Sequence, residues 1–268
     1  PTAASPWTLA EFNDALAKAK ASGKYEYALS LGTGWDGEWY PYGFSPLLQS
    51  FGGDLINRKT NKTAEGVLNG AAAVAWGKWF QNIFAQGLAP KKETADQRDN
   101  GFVTGKIAYQ WNGSWAAATA AEKLGSDFIA LPPPNLGTKA YIGGGSWQWA
   151  VSSTCANKAG ANAWLQFALQ TKYLAKFADD LFNLPITADA TKASKVFGPG
   201  SKYSAFATYS AKFALIRPAT PAYPVIAKIY ESATKDIING ADVQKTLDSA
   251  VDQIDKNLKD NYFYVKKK

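Results

Sequence analysis

This chain of 268 residues has no histidine, no methionine and one cysteine, Cys155. Those gaps remove whole classes of chemistry. A zinc finger, a Ser-His-Asp triad and a Cys-His dyad all require residues that the sequence does not supply. Carboxylates, lysines and tyrosines remain as catalytic candidates, and neither a cofactor nor a metal is expected. One thiol makes no internal disulfide, and as a buried group it suits either redox compartment. The apolar runs are interrupted by Lys, Gln or Asp well before they could cross a bilayer, and no signal peptide is visible. A chain that opens on Pro1 without a methionine anywhere is expected to have lost something upstream.

The length is enough to bury a substantial core in one or two domains, and charges are neither scarce nor blocky, which excludes disorder. The net charge of +7 suggests nucleic acid until its distribution is read. Lys266, Lys267 and Lys268 supply three of the seven, and the other lysines are scattered along amphipathic segments. With no basic stripe, the charge reads as a solvated surface and no nucleic-acid partner is expected.

What the chain has in abundance is aromatic side chains: ten Trp, thirteen Tyr and fourteen Phe. Many stand in glycine-flanked loops, namely Gly34 to Tyr42, Asn112-Gly113-Ser114-Trp115 and Gly143 to Trp149. An indole beside a carboxylate or amide suits a pyranose, whose C–H face lies on the ring while its hydroxyls meet polar neighbours. That combination points to holding a sugar rather than cleaving one.

The local patterns alternate strand and helix, an α/β architecture. Thr8 and Glu11 form a capping box, Trp7 and Phe12 a hydrophobic staple, and Leu9, Phe12, Leu16 and Ala19 one apolar face that Gly23 ends. Tyr25 to Leu31 alternates as a strand. Asn69 to Gln86 reads as a helix with Trp76, Phe80, Ile83 and Phe84 on one side, ended by Gly87 and Pro90. Lys106 to Trp111, Phe128 to Leu131 and Trp147 to Ser153 read as short strands. Four later helices are marked by Trp164, Phe167, Leu174 and Phe177; by Tyr203, Phe206 and Phe213; by Val225, Ile229, Ala233 and Ile237; and by Val243, Leu247, Val251, Ile254 and Leu258.

The order of the motifs resembles a known family. Pro6-Trp7-Thr8-Leu9-Ala10-Glu11-Phe12 is followed by Phe51-Gly52-Gly53-Asp54-Leu55-Ile56, by Phe102-Val103-Thr104-Gly105-Lys106-Ile107-Ala108 and by Asn112-Gly113-Ser114-Trp115. Leu131-Pro132, Gly143 to Trp149, Leu184-Pro185 and Arg217-Pro218-Ala219-Thr220-Pro221-Ala222-Tyr223-Pro224 complete the series. This resembles the extracellular solute-binding proteins of sugar ABC importers, family 1, the maltose-binding-protein-like class. The resemblance implies a two-lobed, class II periplasmic-binding-protein-like α/β fold that closes on ligand by a hinge. It further implies that residues 1–142 and 200–268 form the C-terminal lobe and 143–199 the returning part of the N-terminal lobe, the remainder of that lobe lying outside the chain. The implied partners are a sugar and the membrane permease of the importer. The implied protein is a monomer in the periplasm or outside the cell, with lipid anchoring left open.

The candidate site residues follow from both readings. The resemblance puts Trp115 on the cleft floor at a helix start, with Asn112 beside it; packing at a helix N-terminus is the plainer alternative. Gly144 and Gly145 would let backbone N–H groups approach a ligand, with Trp147 in the cleft. Trp147 and Trp149 share a strand face, so core packing competes there. In the loop after the first strand, Trp35, Asp36, Glu38, Trp39 and Tyr42 suggest a clamp of one ring and one carboxylate. Trp7, Trp76, Trp79 and Trp164 are expected to pack in the core and Trp111 reads either way, while Arg217 either braces the inter-lobe connection, the favoured reading, or reaches a sugar hydroxyl with its planar fork. Relatives often carry a basic residue after Leu184-Pro185; Thr187 stands in that neighbourhood, so a polar contact from there is in doubt. The competing class is a glycoside hydrolase using Asp36 and Glu38, yet alternating neighbours in one loop are poorly placed to approach a sugar from opposite faces. A third reading, half of an engineered sensor, rests on the missing methionines and histidines.

Overall fold

The capping box forms as the sequence requires. The Thr8 hydroxyl accepts from the Glu11 N–H at 3.3 Å and the Glu11 carboxylate accepts from the Thr8 N–H at 2.8 Å. Trp7 closes the staple, its ring 6.4 Å from that of Phe12. The helix so started, α1 (Leu9–Ala21), buries Phe12, Leu16 and Ala19, and Gly23 follows its end at φ +66°.

The computed structural model describes residues 1–145 and 148–264. After α1 come β1 (Tyr27–Ser30), α2 (Ser45–Phe51), α3 (Ala71–Ala85), α4 (Ala95–Asn100) and β2 (Ile107–Gln110). Next are α5 (Ala117–Leu124), β3 (Ile142–Gly143), α6 (Lys158–Ala168), α7 (Thr171–Asp180) and α8 (Ala188–Ala193). The chain continues with α9 (Ser204–Phe213), β4 (Ala214–Leu215), α10 (Tyr223–Asn239) and α11 (Val243–Asp260). These elements divide into two compact units. The first is Pro1–Asn112, Leu131–Gly144 and Phe213–Lys268; the second is Gly113–Ala130 and Gly145–Lys212. Residues 113–130 thus pack with the smaller unit, whereas the sequence suggests them for the larger, and 200–212 do the same.

The first unit holds the main core. β1 and β2 pair in parallel, Tyr27 opposite Ile107 and Leu29 opposite Tyr109. α1, α2, α3, α10 and α11 add to this core, with Trp76 of α3 stacked on Tyr230 of α10 at 5.8 Å. α11 buries Val243, Leu247, Val251, Ile254 and Leu258, the stripe its spacing predicts. α10 is rotated from the expected face: Ile226, Tyr230, Ala233 and Ile237 are buried, while Val225 and Ile229 sit half-buried at the margin. An apolar stripe is wide enough to contain both sets, and the Tyr230–Trp76 stack selects the deeper one.

The second unit departs further from the sequence reading. Among its described residues there is no strand. Residues 128–131 are irregular with Ile129 exposed, because the following Pro132-Pro133-Pro134 has no N–H to continue a ladder. Residues 148–153 are likewise not a strand. Trp164, expected in a core, is 53% exposed, and α6 buries none of its residues. It meets Trp149 edge-on at 4.9 Å, and Trp149 meets Phe177 at 5.8 Å, an aromatic cluster on the outside of the unit. Cys155 is half-buried rather than enclosed.

Candidate functional site

The aromatic loop begins where β1 ends, and a buried carboxylate sets its path. Glu93 accepts from the Ser30 hydroxyl at 3.0 Å, from the Leu31 N–H at 2.8 Å and from the Gly32 N–H at 2.9 Å. Burial pushes its carboxyl above the ordinary glutamate range, and these hydrogen bonds pull in the opposite direction. Gly32 turns the chain at φ +70°, and a Cβ there would lie 2.8 to 2.9 Å from the Trp35 and Trp39 rings. Only glycine meets both demands.

Past that turn the loop is seated on tryptophan. Trp39 is 9% exposed, donates from its indole N–H to the Leu31 carbonyl at 2.9 Å, and stands edge-on to Trp35 with centroids 4.5 Å apart. Its part is therefore to support Trp35 rather than to face solvent. Trp35 is half-buried, and the Arg98 guanidinium lies 5.3 Å from its ring centre. One turn of π-helix, Tyr40–Phe44, then carries Tyr42 toward Gly143.

The two carboxylates of the loop are held by cations from the far end of the chain. Asp36 pairs with the Lys235 ammonium at 2.6 Å, and Lys235 pairs equally closely with Glu231, which accepts the Gly37 N–H at 2.7 Å. The hydrogen bond and charge of Lys235 hold the Asp36 carboxyl below its ordinary range. Burial alone would lower Lys235, but Asp36 and Glu231 together hold it above the lysine range. Glu38 accepts from Arg217 Nε at 2.6 Å and from the Tyr223 hydroxyl at 2.7 Å. Burial first, then the bond to Glu38, pushes the Tyr223 phenol upward. Arg217 also lies over the Tyr42 ring at 4.9 Å and donates to the Gly144 carbonyl at 3.0 Å. Within the first unit Arg217 thus ties the loop to the end of β3.

Trp35, Asp36, Glu38, Trp39, Tyr42 and Gly144 thus come together in the first unit. Asn112 is its last residue before the chain passes to the second, and is half-buried. Gly144 does not offer its N–H to a ligand as expected: that group donates to the Leu215 carbonyl at 3.0 Å, extending the parallel pair of β3 and β4. In the second unit Gly145 sits at φ +153°, and Trp115 lies in a single 3-10 turn ahead of α5. Trp115 is 41% exposed, and its ring covers Gly113 so closely that a Cβ there would fall 2.1 to 2.4 Å away. Trp147 lies outside the described residues.

Sequence reasoning missed Glu93, Glu231, Lys235 and Tyr223. Glu231 and Lys235 carry one legible signal, an acid four residues before a base on a helix. Their bonds to Gly37 and Asp36 span 194 and 199 residues, and nothing local announces them. Among the described residues no group of three or more acidic, His or Cys side chains could hold a metal, and no helix is long and apolar enough to cross a membrane.

The architecture is the periplasmic-binding-protein-like α/β fold. The GacH receptor of Streptomyces glaucescens, solved unliganded and with acarbose, superposes with a TM-score of 0.77 at 21% identity, covering 98% of this chain and 66% of its own. A solute-binding protein of Thermotoga lettingae bound to α-D-tagatose gives 0.77 at 18% identity, covering 94% and 65%. The extracellular solute-binding protein of Staphylococcus aureus in complex with maltose gives 0.69 at 20% identity, covering 95% and 65%. The chain therefore spans about two thirds of the length of these relatives. No curated protein matches it in sequence. The profile of the bacterial extracellular solute-binding proteins matches residues 2–208, and the chain belongs to that family.

Proposed function

We propose that this chain is the larger part of a receptor that binds a mono- or oligosaccharide outside the cytoplasmic membrane and presents it to the permease of an ABC importer. The observation that carries the reading is the loop at 34–42. There a half-buried indole, Trp35, is fixed on a buried one, Trp39, beside two carboxylates already held in place. Preset rings and acceptors give a sugar its apolar face and its hydroxyl partners with little ordering cost on binding. Trp115, exposed at a helix start in the second unit, offers an indole there as well. Family membership supports a receptor, and the three structural relatives were solved in complex with acarbose, α-D-tagatose and maltose.

In this reading the first unit belongs to the C-terminal lobe and the second to the N-terminal one. The second unit leaves apolar flanks of α6 and α7 open, which suits helices that pack in a larger lobe. Ligand drives closure by preferring the closed state, since a ligand shifts an equilibrium only by differential affinity. The receptor acts as a monomer, with no nucleic-acid partner and no chemical step. Asp36 is ion-paired and held low, the opposite of what a proton-donating glycosidase carboxyl requires.

The test is isothermal titration with maltose, maltotriose, glucose and tagatose, alongside chromatography of each sugar after long incubation. Saturable binding with every sugar recovered intact is the expected result. Failure to bind any of them, or release of shorter products, overturns the proposal.

A further inference from the structure

The chain leaves the first unit after β3, at Gly144, and re-enters it just before β4, at Phe213. The two strands lie parallel, Ile142 opposite Ala214 and Gly143 opposite Leu215. Two arginines fasten this pair, one on each strand's continuation. Arg58, itself held by Asp54 at 2.6 Å, donates to the Ile216 carbonyl at 2.7 Å, two residues past the start of β4. Arg217 donates to the Gly144 carbonyl at the exit of β3.

The arginines differ in what else they hold. Arg58 is tied to Asp54, whose other oxygen contacts, from Gln49 and the Leu55 N–H, stay within its own neighbourhood. Arg217 reaches the aromatic loop in two places, the Glu38 carboxylate and the face of Tyr42. Tyr42 in turn presses on the exit of β3: a Cβ on Gly143 would lie 2.4 Å from the Tyr42 carbonyl and 2.8 Å from its ring. One guanidinium thus joins an acidic loop residue, an aromatic loop residue and the backbone where the chain departs.

We propose that Arg217 is a positioning residue that makes loop 36–42 and the Gly143–Gly144 segment move as one piece. A displacement of the backbone at Gly144 is then transmitted to Glu38 through the Arg217 side chain, and to Tyr42 both through it and through the packing of Tyr42 on Gly143, and ordering of the loop steadies the chain exit in return. Arginine suits the task because its planar fork donates in two directions while its face covers a ring; a lysine can meet one of those partners at a time. For sugar affinity the inference rests on the binding reading above, while the mechanical coupling does not.

The experiment is amide hydrogen exchange by NMR on the native chain and on Arg217→Ala, Arg217→Lys and Glu38→Gln, with sugar titration in parallel. Arg217→Ala should raise exchange at residues 37–43 and at Gly144 together, by roughly tenfold, while amides of α11 keep their protection. Glu38→Gln, which leaves the Gly144 contact in place, should still loosen both segments. Arg217→Lys, which can meet one of the partners at a time, should also leave both segments exchanging faster than in the native chain, though by less than Arg217→Ala. Acceleration of one segment without the other, or of neither, overturns the coupling whatever the sugar result. Sugar affinity should fall at least fivefold in Arg217→Ala. Absence of binding by the native chain would defeat the receptor reading and leave the exchange result to decide the coupling. Should Arg217→Ala fail to fold, the Glu38→Gln and Arg217→Lys pair carries the same two-segment readout.

Discussion

Glu93 accepts a hydrogen bond from the Gly32 N–H, 61 residues earlier in the chain. With the Ser30 hydroxyl and the Leu31 N–H on the same carboxylate, this buried group determines how the chain turns out of β1 into the aromatic loop.

Removing that carboxylate should be expensive. Glu93→Ala leaves three donors without their acceptor, and an unsatisfied buried group costs about 1–3 kcal/mol each. The expected loss is at least ~3 kcal/mol by urea unfolding. Glu93→Gln keeps an acceptor for both N–H groups and should cost about 1 kcal/mol. The pH dependence has a definite sign. Burial raises the folded carboxyl above its unfolded value, so the unfolded chain releases its proton first. The contribution of Glu93 to stability is greatest at low pH and falls as pH rises from the ordinary glutamate range through the folded value. Glu93→Gln should flatten that fall, and a fall of the same size in the variant would contradict it.

Gly32→Ala tests the same turn from the other side. The substitution demands a left-handed backbone and pushes a methyl into two indoles. A loss of about 1–3 kcal/mol is expected, read by thermal unfolding, together with a shift in tryptophan emission.

Trp35, Trp39 and Trp115 should separate cleanly in a paired assay of stability and sugar affinity. Trp39→Ala empties a buried site and should cost about 3–5 kcal/mol. Trp115→Ala removes an exposed ring and should leave the unfolding midpoint nearly unchanged while weakening sugar binding about tenfold or more. Trp35→Ala should fall between the two in stability and lower affinity as well. Unchanged affinity in both Trp35→Ala and Trp115→Ala would count against the site.

The Asp36 carboxyl should titrate below the usual aspartate range, as seen by carbon-detected NMR. In Lys235→Ala it should return toward the ordinary value, because the hydrogen bond and charge of that lysine are the cause of its depression. Asp36 is exposed, so its share of any stability loss should be small, whereas Glu231, at 16% exposure, loses its partner in the same variant. Asp36→Asn should leave the sugar panel unhydrolysed, as in the native chain.

The outer face of α6 and α7 should bind an anilinonaphthalene dye. Trp149, Trp164, Phe167 and Phe177 are each about half exposed there. A Trp164→Gln, Phe177→Gln double variant should lose most of the dye signal without losing helicity. Full retention of the signal would place the dye elsewhere.

The amino-acid order settles whatever depends on neighbours along the chain. The capping box at Thr8 and Glu11, the buried stripe of α11 and the α3 face with Trp76 and Phe80 are all legible, because turn-by-turn spacing decides them. The aromatic loop is legible as a candidate too, from composition alone. Folding in three dimensions decides which partner each group finds. Trp39 reads as a loop residue for the clamp and Trp164 as a core residue, yet the first is enclosed by Trp35, Tyr42 and Phe44 and the second faces outward. Periodicity tells which side of a helix is apolar and not whether anything lies against it. Glu38 reads as a free carboxylate until Arg217 and Tyr223 arrive from 179 and 185 residues away. Contacts over such separations leave no local pattern, since they are selected by packing of the whole unit rather than by any stretch of it.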